Sequence, residues 1–374
     1  MGTTNQVHCL ADTKRSVSPN KLLNALQDTQ PSTDRSLAPP TIYDIWQAYT
    51  HISAERELFS SHTKLIKGSP LLHKLSNGVE IFLALENKQP THSFKIRGVF
   101  AELMALPPET LNKGVFTASS GNHGTAVAYL AKKLGIPCEV VVPTAVSDIK
   151  ASMIEAHGGI IIRHGLTYDD AYRHAKQLAK ERHSTFIDVS SRLAVAGQGT
   201  LALDILTQAP DVDAILLPVG GGALLAGVAI AAKEFAKIRQ REILVIGAEP
   251  DGAACCYESL KAGKLVTLDC CETIADGLRV QTPDAHLFPI LQNQVDEIVK
   301  VPEKSIRWGM GLLAGICDSL LEGAAVLGPM ALLSGKGVLK GARGKEIDLR
   351  GKKVVTPLTG GNVDPSTMET LIVD

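Results

Sequence analysis

Between residues 114 and 247 the chain alternates short apolar runs with longer stretches whose apolar residues return at helical spacing. Residues 114–119, 138–142, 160–162, 185–189, 214–219 and 243–247 read as strands. The intervening stretches 124–134, 146–156, 168–180, 198–206 and 224–236 read as helices. Strands of this kind, apolar along their whole length and separated by helices, imply parallel sheets covered on both faces. Upstream, residues 79–85 form a further apolar, β-prone run, and Pro90 removes a backbone donor where such a run must stop. Ile42, Ile45 and Trp46 recur at near-helical spacing over 41–50, and Ser69-Pro70-Leu71 marks a turn into the first strand region. A helix is expected from near Ser93 to Leu106, ended by Pro107-Pro108. Towards the end, 295–301 and 353–358 read as strands, and 303–314 and 322–333 as helices. No internal repeat or low-complexity tract interrupts the pattern.

Length and composition narrow the class. A chain of 374 residues accommodates about two domains. A hydrophobic content of 45% with a net charge of -1 describes a soluble globular protein without the basic excess that phosphate backbones require, so no nucleic-acid partner is expected. The seven cysteines include two vicinal pairs and no C-x-x-C spacing, a pattern that favours reduced thiols in the cytosol, and no metal site is expected from them. Residues 1–40 mix Ser, Thr, Asn, Gln and Pro with both charge signs and read as a flexible N-terminal tail. They lack an apolar signal core, and Asp12, Asp28 and Asp34 argue against a transit peptide. The longest uncharged run, 214–232, is broken by Pro218 and three successive glycines, so it reads as strand, turn and helix, and no membrane partner is expected.

Candidate chemistry begins where the strand over 79–85 gives way to a helix. Lys95 sits in the expected first turn, where unpaired N–H groups and the positive end of the helix lower the cost of a deprotonated amine. Thr91 and Ser93 are natural N-caps, and Phe94 offers an apolar wall. A desolvated lysine has a depressed pKa and reacts with carbonyls near neutral pH, whereas a solvated lysine at a helix start does nothing of the kind.

Three further loops follow strands. Ser119-Ser120-Gly121-Asn122-His123-Gly124 opens a helix with two hydroxyls, an amide and free N–H groups, which suits a carboxylate; an ordinary Ser-Gly helix start is the alternative. Pro218-Val219-Gly220-Gly221-Gly222-Ala223-Leu224 lets the backbone approach a phosphate at a helix N-terminus. It lacks the Gly-Lys-Ser/Thr of a P-loop and the spacing of dinucleotide folds, and tight helix-strand packing is the alternative reading. Leu358-Thr359-Gly360-Gly361-Asn362 follows the last strand and offers a neutral hydroxyl to a ring nitrogen. A carbonyl-reactive lysine, a phosphate cup, an amide-bearing carboxylate loop and a neutral hydroxyl together describe a site for pyridoxal 5'-phosphate.

These motifs, in this order, resemble the fold-type II pyridoxal-phosphate enzymes, and among them the serine/threonine dehydratases (ammonia-lyases) and the similar serine racemases. The resemblance covers about 42–364 and rests on Ser93 to Gly98, Ser119 to Gly124, the glycine loop at Gly220, Thr-Ile-Ala-Asp-Gly at Thr273 to Gly277, and Gly360 to Asn362. It implies a tryptophan synthase β-like α/β fold of two three-layer α/β/α domains with parallel-rich sheets. A small domain over 115–193 would be inserted into a large cofactor-binding domain made of 41–114 and 194–374. Only a dozen residues follow Asn362, so no C-terminal amino-acid-sensing domain is expected.

The resemblance also assigns roles. Lys95 would bond to the cofactor and take the α-proton of the substrate, with Phe94 packed against the ring. Asn122 would hydrogen-bond the ring hydroxyl, and Gly220, Gly221, Gly222, Ala223 and Leu224 would hold the phosphate. Gly277, Glu322 and Thr359 complete the cofactor contacts, Thr359 facing the pyridine nitrogen and Glu322 lining the ring edge or merely capping its helix. Ser119, Ser120, Gly121, Asn122 and His123 would receive the substrate carboxylate. The implied reaction is α,β-elimination of water from serine, threonine or hydroxyaspartate to a 2-oxo acid and ammonia, by a cytoplasmic homodimer. Ser120 stands where racemases carry a serine on the face opposite the lysine, so a serine or aspartate racemase is the alternative. A catalytically silent, ligand-binding relative is the third reading, against which Lys95, Asn122 and the glycine loop speak. There are departures from the family pattern. Ala223 stands where a fourth glycine is frequent, and His92 replaces a glycine. Near Glu249 and Ala253, Cys255 occupies an expected aspartate position, and a thiol is a poor ligand for Mg²⁺ or Ca²⁺.

Overall fold

The computed structural model describes residues 38–55, 57–59 and 63–363. The tail expected over 1–40 lies outside these residues except for its last three positions. In chain order the elements are α1 (Ile42–Ala54), β1 (Leu65–Lys67), α2 (Pro70–Leu75), β2 (Glu80–Ala84), α3 (Lys95–Met104), α4 (Pro108–Leu111), β3 (Val115–Ala118) and α5 (Asn122–Leu134). There follow β4 (Cys138–Val142), α6 (Asp148–Ala156), β5 (Ile160–Arg163), α7 (Tyr168–Glu181), β6 (Thr185–Phe186), α8 (Arg192–Gln208), β7 (Ala214–Pro218), α9 (Ala223–Arg239) and β8 (Leu244–Pro250). The last are α10 (Cys255–Ala262), α11 (Phe288–Gln294), β9 (Glu297–Val301), α12 (Glu303–Cys317), α13 (Gly323–Ser334), β10 (Val338–Lys340), β11 (Glu346–Asp348) and β12 (Lys353–Pro357).

Two sheets organise the chain. The larger runs β1-β2-β12-β7-β8-β9 and the smaller β5-β4-β3-β6. All pairings in both are parallel except that of β1 with β2, and β10 and β11 form a separate antiparallel hairpin. The expected α/β class with parallel-rich sheets is therefore what forms.

The central strands β7 and β12 are buried on both faces, which their continuous apolar composition requires. One core lies between the large sheet and α1, α8 and α9, and another between its opposite face and α12 and α13. Helices α3, α8 and α9 approach closely through glycines. A Cβ added to Gly197 would lie 2.3 Å from the Arg97 carbonyl, and one on Gly227 would lie 2.4 Å from that of Val195. The small sheet is covered on one face by α5 and on the other by α7. Helix α7 buries only its alanines, Ala171, Ala175 and Ala179, so its packing is thinner.

Several boundaries differ from the sequence reading, each for a local reason. Ser69-Pro70 does not turn into a strand. Ser69 caps α2 by accepting from Leu72 N, with Pro70 at the first helical position, where its missing N–H is harmless. Neither Thr91 nor Ser93 is the N-cap of α3. That position is Phe94, while Ser93 Oγ accepts from Lys95 N at 3.3 Å. The strand expected over 185–189 ends at Phe186, although Ile187 N still bonds to Phe116 O at 2.7 Å. Helix α8 starts six residues before the expected 198, capped by Ser191.

Candidate active site

The lysine loop is fixed first by its neighbours. Phe94 N donates to Thr359 O at 3.1 Å, Gly361 N donates to His92 O at 2.9 Å, and Ser93 bridges Gly360. Strands β2, β12 and β7 are neighbours in the parallel sheet, so the loops carrying Lys95, Thr359 and Gly220 leave its carboxyl edge side by side. His92 adopts φ 53, the left-handed region that glycine occupies most easily, which gives a backbone reason for a glycine there. Its ring Nδ1 lies 3.3 Å from Asn87 O.

Lys95 itself is half-buried, with its Nζ 4.9 Å from the centroid of the Phe94 ring. Burial pushes its amine down to about 8, while the carboxylates of Asp284 and Glu322 pull it upward. A substantial neutral fraction is therefore available near pH 8. Two residues along the same helix, Arg97 is fully buried and fully engaged. Its Nε donates to Glu86 Oε2 at 2.8 Å, Nη1 to Thr200 Oγ1 at 2.9 Å and Nη2 to Asp204 Oδ2 at 2.6 Å, with Thr63 Oγ1 a further acceptor. This network ties α3 to the turn after β2 and to α8, and so sets where Lys95 points.

The glycine loop forms a backbone concavity at the N-terminus of the 17-residue helix α9. Gly222 is its N-cap with φ 106, and a Cβ there would lie 3.0 Å from Leu291. A Cβ on Gly221 would lie 2.9 Å from Asp284 Oδ2. Side chains at these positions would fill the concavity, so bare backbone is what leaves room for a phosphate. Gly277 borders it, its carbonyl 3.6 Å from a Cβ on Gly220. Ala223 and Leu224 begin the helix, and Thr359 is buried beside the lysine loop. The residues present fit the phosphate and amine contacts of pyridoxal phosphate.

The remaining loop comes from the small sheet. Asn122 is the first residue of α5, and Gly121 N donates to Ser119 Oγ at 3.2 Å. Asn122 Nδ2 donates to both Glu322 oxygens at 2.9 and 3.0 Å, and Asn362 Nδ2 donates to Asn122 Oδ1 at 2.7 Å. The Glu322 side chain does not cap α13. It faces Asn122 and Asn362, and burial raises its carboxyl to about 7. His123 Nε2 lies 3.3 Å from Ile187 O; burial and the nearby Lys95 charge lower it to about 4, so the ring is neutral. Ser120 lies half-buried in the same loop.

Sequence reasoning missed Asp284, Ser190 and His286. Asp284 N donates to Gly221 O at 3.0 Å, its carboxylate faces Lys95, and Ser190 donates to that carboxylate. His286 Nε2 lies 2.9 Å from Ser190 O. An acidic residue beside Pro283, soon after the Thr273 to Gly277 motif, was the only signal in the sequence. Apart from the site, Glu249, Cys255 and Cys256 form a buried group whose possible ligand atoms lie within 4.8 Å of one another. Its carboxylate accepts from Cys256 N at 3.0 Å and Tyr257 N at 2.6 Å, and Cys256 Sγ donates to Gly220 O at 3.2 Å. Among the described residues no helix is long and apolar enough to cross a membrane.

The sequence matches the family described as pyridoxal-phosphate dependent enzyme over residues 62–360. It is 37% identical to the L-threonine ammonia-lyase of Geobacter sulfurreducens over 83% of this chain and 73% of that one. It is 34% identical to the catabolic L-threonine dehydratase of Staphylococcus aureus strain USA300, over 84% of this chain and 88% of that one. The solved structure of maize serine racemase superimposes with a TM-score of 0.80 at 30% identity, covering 89% of this chain and 97% of that one. With the imine-capable lysine and the glycine cradle at the carboxyl edge of the large sheet and the amide-bearing loop meeting them from the small sheet, the chain belongs to the fold-type II family of pyridoxal-phosphate dependent enzymes.

Proposed function

We propose that this enzyme is a serine/threonine ammonia-lyase, removing water across Cα–Cβ of a small β-hydroxy amino acid and releasing a 2-oxo acid and ammonia. The carrying observation is the Lys95 amine, held at about 8 by burial beside a backbone phosphate cradle. Relatives bearing the name L-threonine ammonia-lyase or dehydratase support the reaction class. When bound, pyridoxal phosphate supplies an electron sink for the pair left behind when the α-proton departs.

In this reading Lys95 Nζ would hold the cofactor through its aldehyde carbon, with the carbonyl oxygen leaving as water, and once released would accept the α-proton. Phe94 packs beside the ring, and Gly220, Gly221, Gly222, Ala223 and Leu224 hold the phosphate through backbone N–H groups, with Gly277 at the border. Thr359 contributes a neutral hydroxyl to the ring nitrogen. Asn122, steadied by Glu322 and Asn362, addresses the ring hydroxyl. The backbone of Ser119, Ser120, Gly121, Asn122 and His123 receives the substrate carboxylate at the start of α5. The uncharged ring of His123 adds no competing cation there.

We further propose that residues 115–193 act as a small domain inserted between 41–114 and 194–374 and close over bound substrate. Bonds crossing the cleft, such as Lys150 Nζ to Asp276 Oδ2 at 2.7 Å, would then remodel on closure. Scattering curves of cofactor-loaded enzyme with and without substrate should differ, and superimposable curves would count against closure. A cytoplasmic homodimer fits the free thiols of the described cysteines and the family resemblance.

The test is the visible absorbance of the bound cofactor in the wild type and in Lys95→Ala, together with oxo-acid and D-serine assays on L-threonine and L-serine. Oxo-acid release that requires Lys95 supports the lyase. D-serine appearing faster than pyruvate would move the assignment to a racemase using Ser120 on the opposite face. Absence of both the absorbance and turnover would refute the proposal.

A further inference from the structure

The phosphate cradle and the amine face a feature that a simple anion site does not need. Asp284, held by its N–H on Gly221 O, carries its carboxylate to within 2.9 Å of where a Gly221 side chain would begin. The same carboxylate acts on the charge of Lys95 ahead of Glu322. It is half-buried, with the Ser190 hydroxyl on it and the His286 ring beside that serine. Asp188 extends the acidic wall, accepting from Tyr172 Oη at 2.6 Å with Lys176 Nζ at 3.8 Å. Two carboxylates, Asp284 and Glu322, thus flank the reacting amine from the large sheet, and Asp188 acts on Asp284 from the small-sheet side.

Resting on the lyase reading, we propose that Asp284 is a specificity-determining residue: it admits amino acids whose β-substituent is an uncharged hydroxyl and excludes those carrying a second carboxylate. The physical reason is charge. The substrate's own carboxylate is received at the start of α5, and a second one would be brought towards Asp284 and the cofactor phosphate with little water between them. Like charges so placed repel strongly. A methyl at the same position meets no such opposition, and a hydroxyl there donates a hydrogen bond to Asp284 or Ser190 without a charge penalty. Of the β-hydroxy amino acids open to the reaction, serine and threonine are therefore substrates and 3-hydroxyaspartate is not.

The test uses cofactor-loaded enzyme and the isosteric pair L-asparagine and L-aspartate, whose binding is read from the absorbance of the cofactor. The wild type should bind L-asparagine about tenfold or more tightly than L-aspartate, and should turn over L-serine with a kcat/KM at least about tenfold above that for 3-hydroxyaspartate. In Asp284→Asn the asparagine preference should shrink about tenfold, with Tm near wild type. Wild-type enzyme that binds both ligands within about twofold overturns the proposal without any variant being needed, as does an unchanged preference in Asp284→Asn. If no amino acid is turned over although the cofactor absorbance is present, the lyase reading fails instead, while the asparagine/aspartate ratio still reports on Asp284.

Discussion

Lys95 and Arg97 stand two residues apart on one helix, both cationic and both withdrawn from water, and the structure treats them oppositely. Arg97 receives two carboxylates and two hydroxyls, so the penalty for burying a guanidinium is met by charge-assisted hydrogen bonds. Lys95 has an aromatic face 4.9 Å away and carboxylates that act on it through space, and its amine falls to about 8. A satisfied buried cation anchors the framework; an under-satisfied one becomes a base and nucleophile near neutral pH. The network around Arg97 fixes the helix that presents Lys95 to the glycine cradle.

The largest way to separate the two roles is to remove each cation. Lys95→Ala should lower kcat by roughly 10³-fold or more, whereas folding stability is kept or gains, because a buried group that resists protonation is gone. The gain should be greatest below pH 8, where the native state must carry the ammonium at a penalty, and should fade as pH rises above it. Turnover with oxo-acid detection and thermal melts across pH check both halves. Arg97→Met should do the reverse. It leaves Glu86 and Asp204 buried without their cation and should lose on the order of 3–5 kcal/mol of stability in denaturant titrations, with a fall in kcat smaller than that of Lys95→Ala.

A smaller effect is expected at the cradle. Gly222→Ala must hold a Cβ at φ 106 and 3.0 Å from Leu291, so it should lose about 1–3 kcal/mol and weaken cofactor binding measured by fluorescence titration. The smallest concerns Glu102 on α3. Burial raises its carboxyl to about 8, although Oε1 accepts from Asp188 N at 3.3 Å. Its folded-state pKa lies above the ordinary value of 4.5, so its contribution is complete below that value and is lost as pH rises towards about 8. Glu102→Gln should therefore flatten the decline in stability between those limits, a difference of about 1 kcal/mol or more near pH 9 in melts.

The sequence makes the anchoring and reacting lysine loop legible and leaves its surroundings dark. The alternation over 114–247 carries both sheets because apolar strands and amphipathic helices differ in period. The motif at Ser93 to Gly98 names Lys95 and Arg97 together, since local spacing places both on the start of one helix. Elements set by only a few residues escape: β1 has three residues at a sheet edge, and α11 is too short to show a periodic face. Asp284 is missed for a different reason. Its role depends on the loop before α11 folding back onto Gly221, a contact 63 positions away in the chain that no local pattern encodes. Ser190 and His286 meet at that contact too. Glu322 is found by resemblance, but only the fold turns its carboxylate from the helix end to Asn122.

The measurement that bears most directly on this account is the titration of Lys95 itself. The apoprotein would be exposed to a trace of an acylating reagent across pH 6 to 11, and the labelling of the peptide containing Lys95 would be compared with that of the exposed lysines Lys67 and Lys237. Half-maximal labelling of Lys95 near pH 8, with a profile distinct from those of the other two, is the predicted result. Lys95 labelling in step with those exposed lysines would contradict the claim that burial makes this amine the reactive centre.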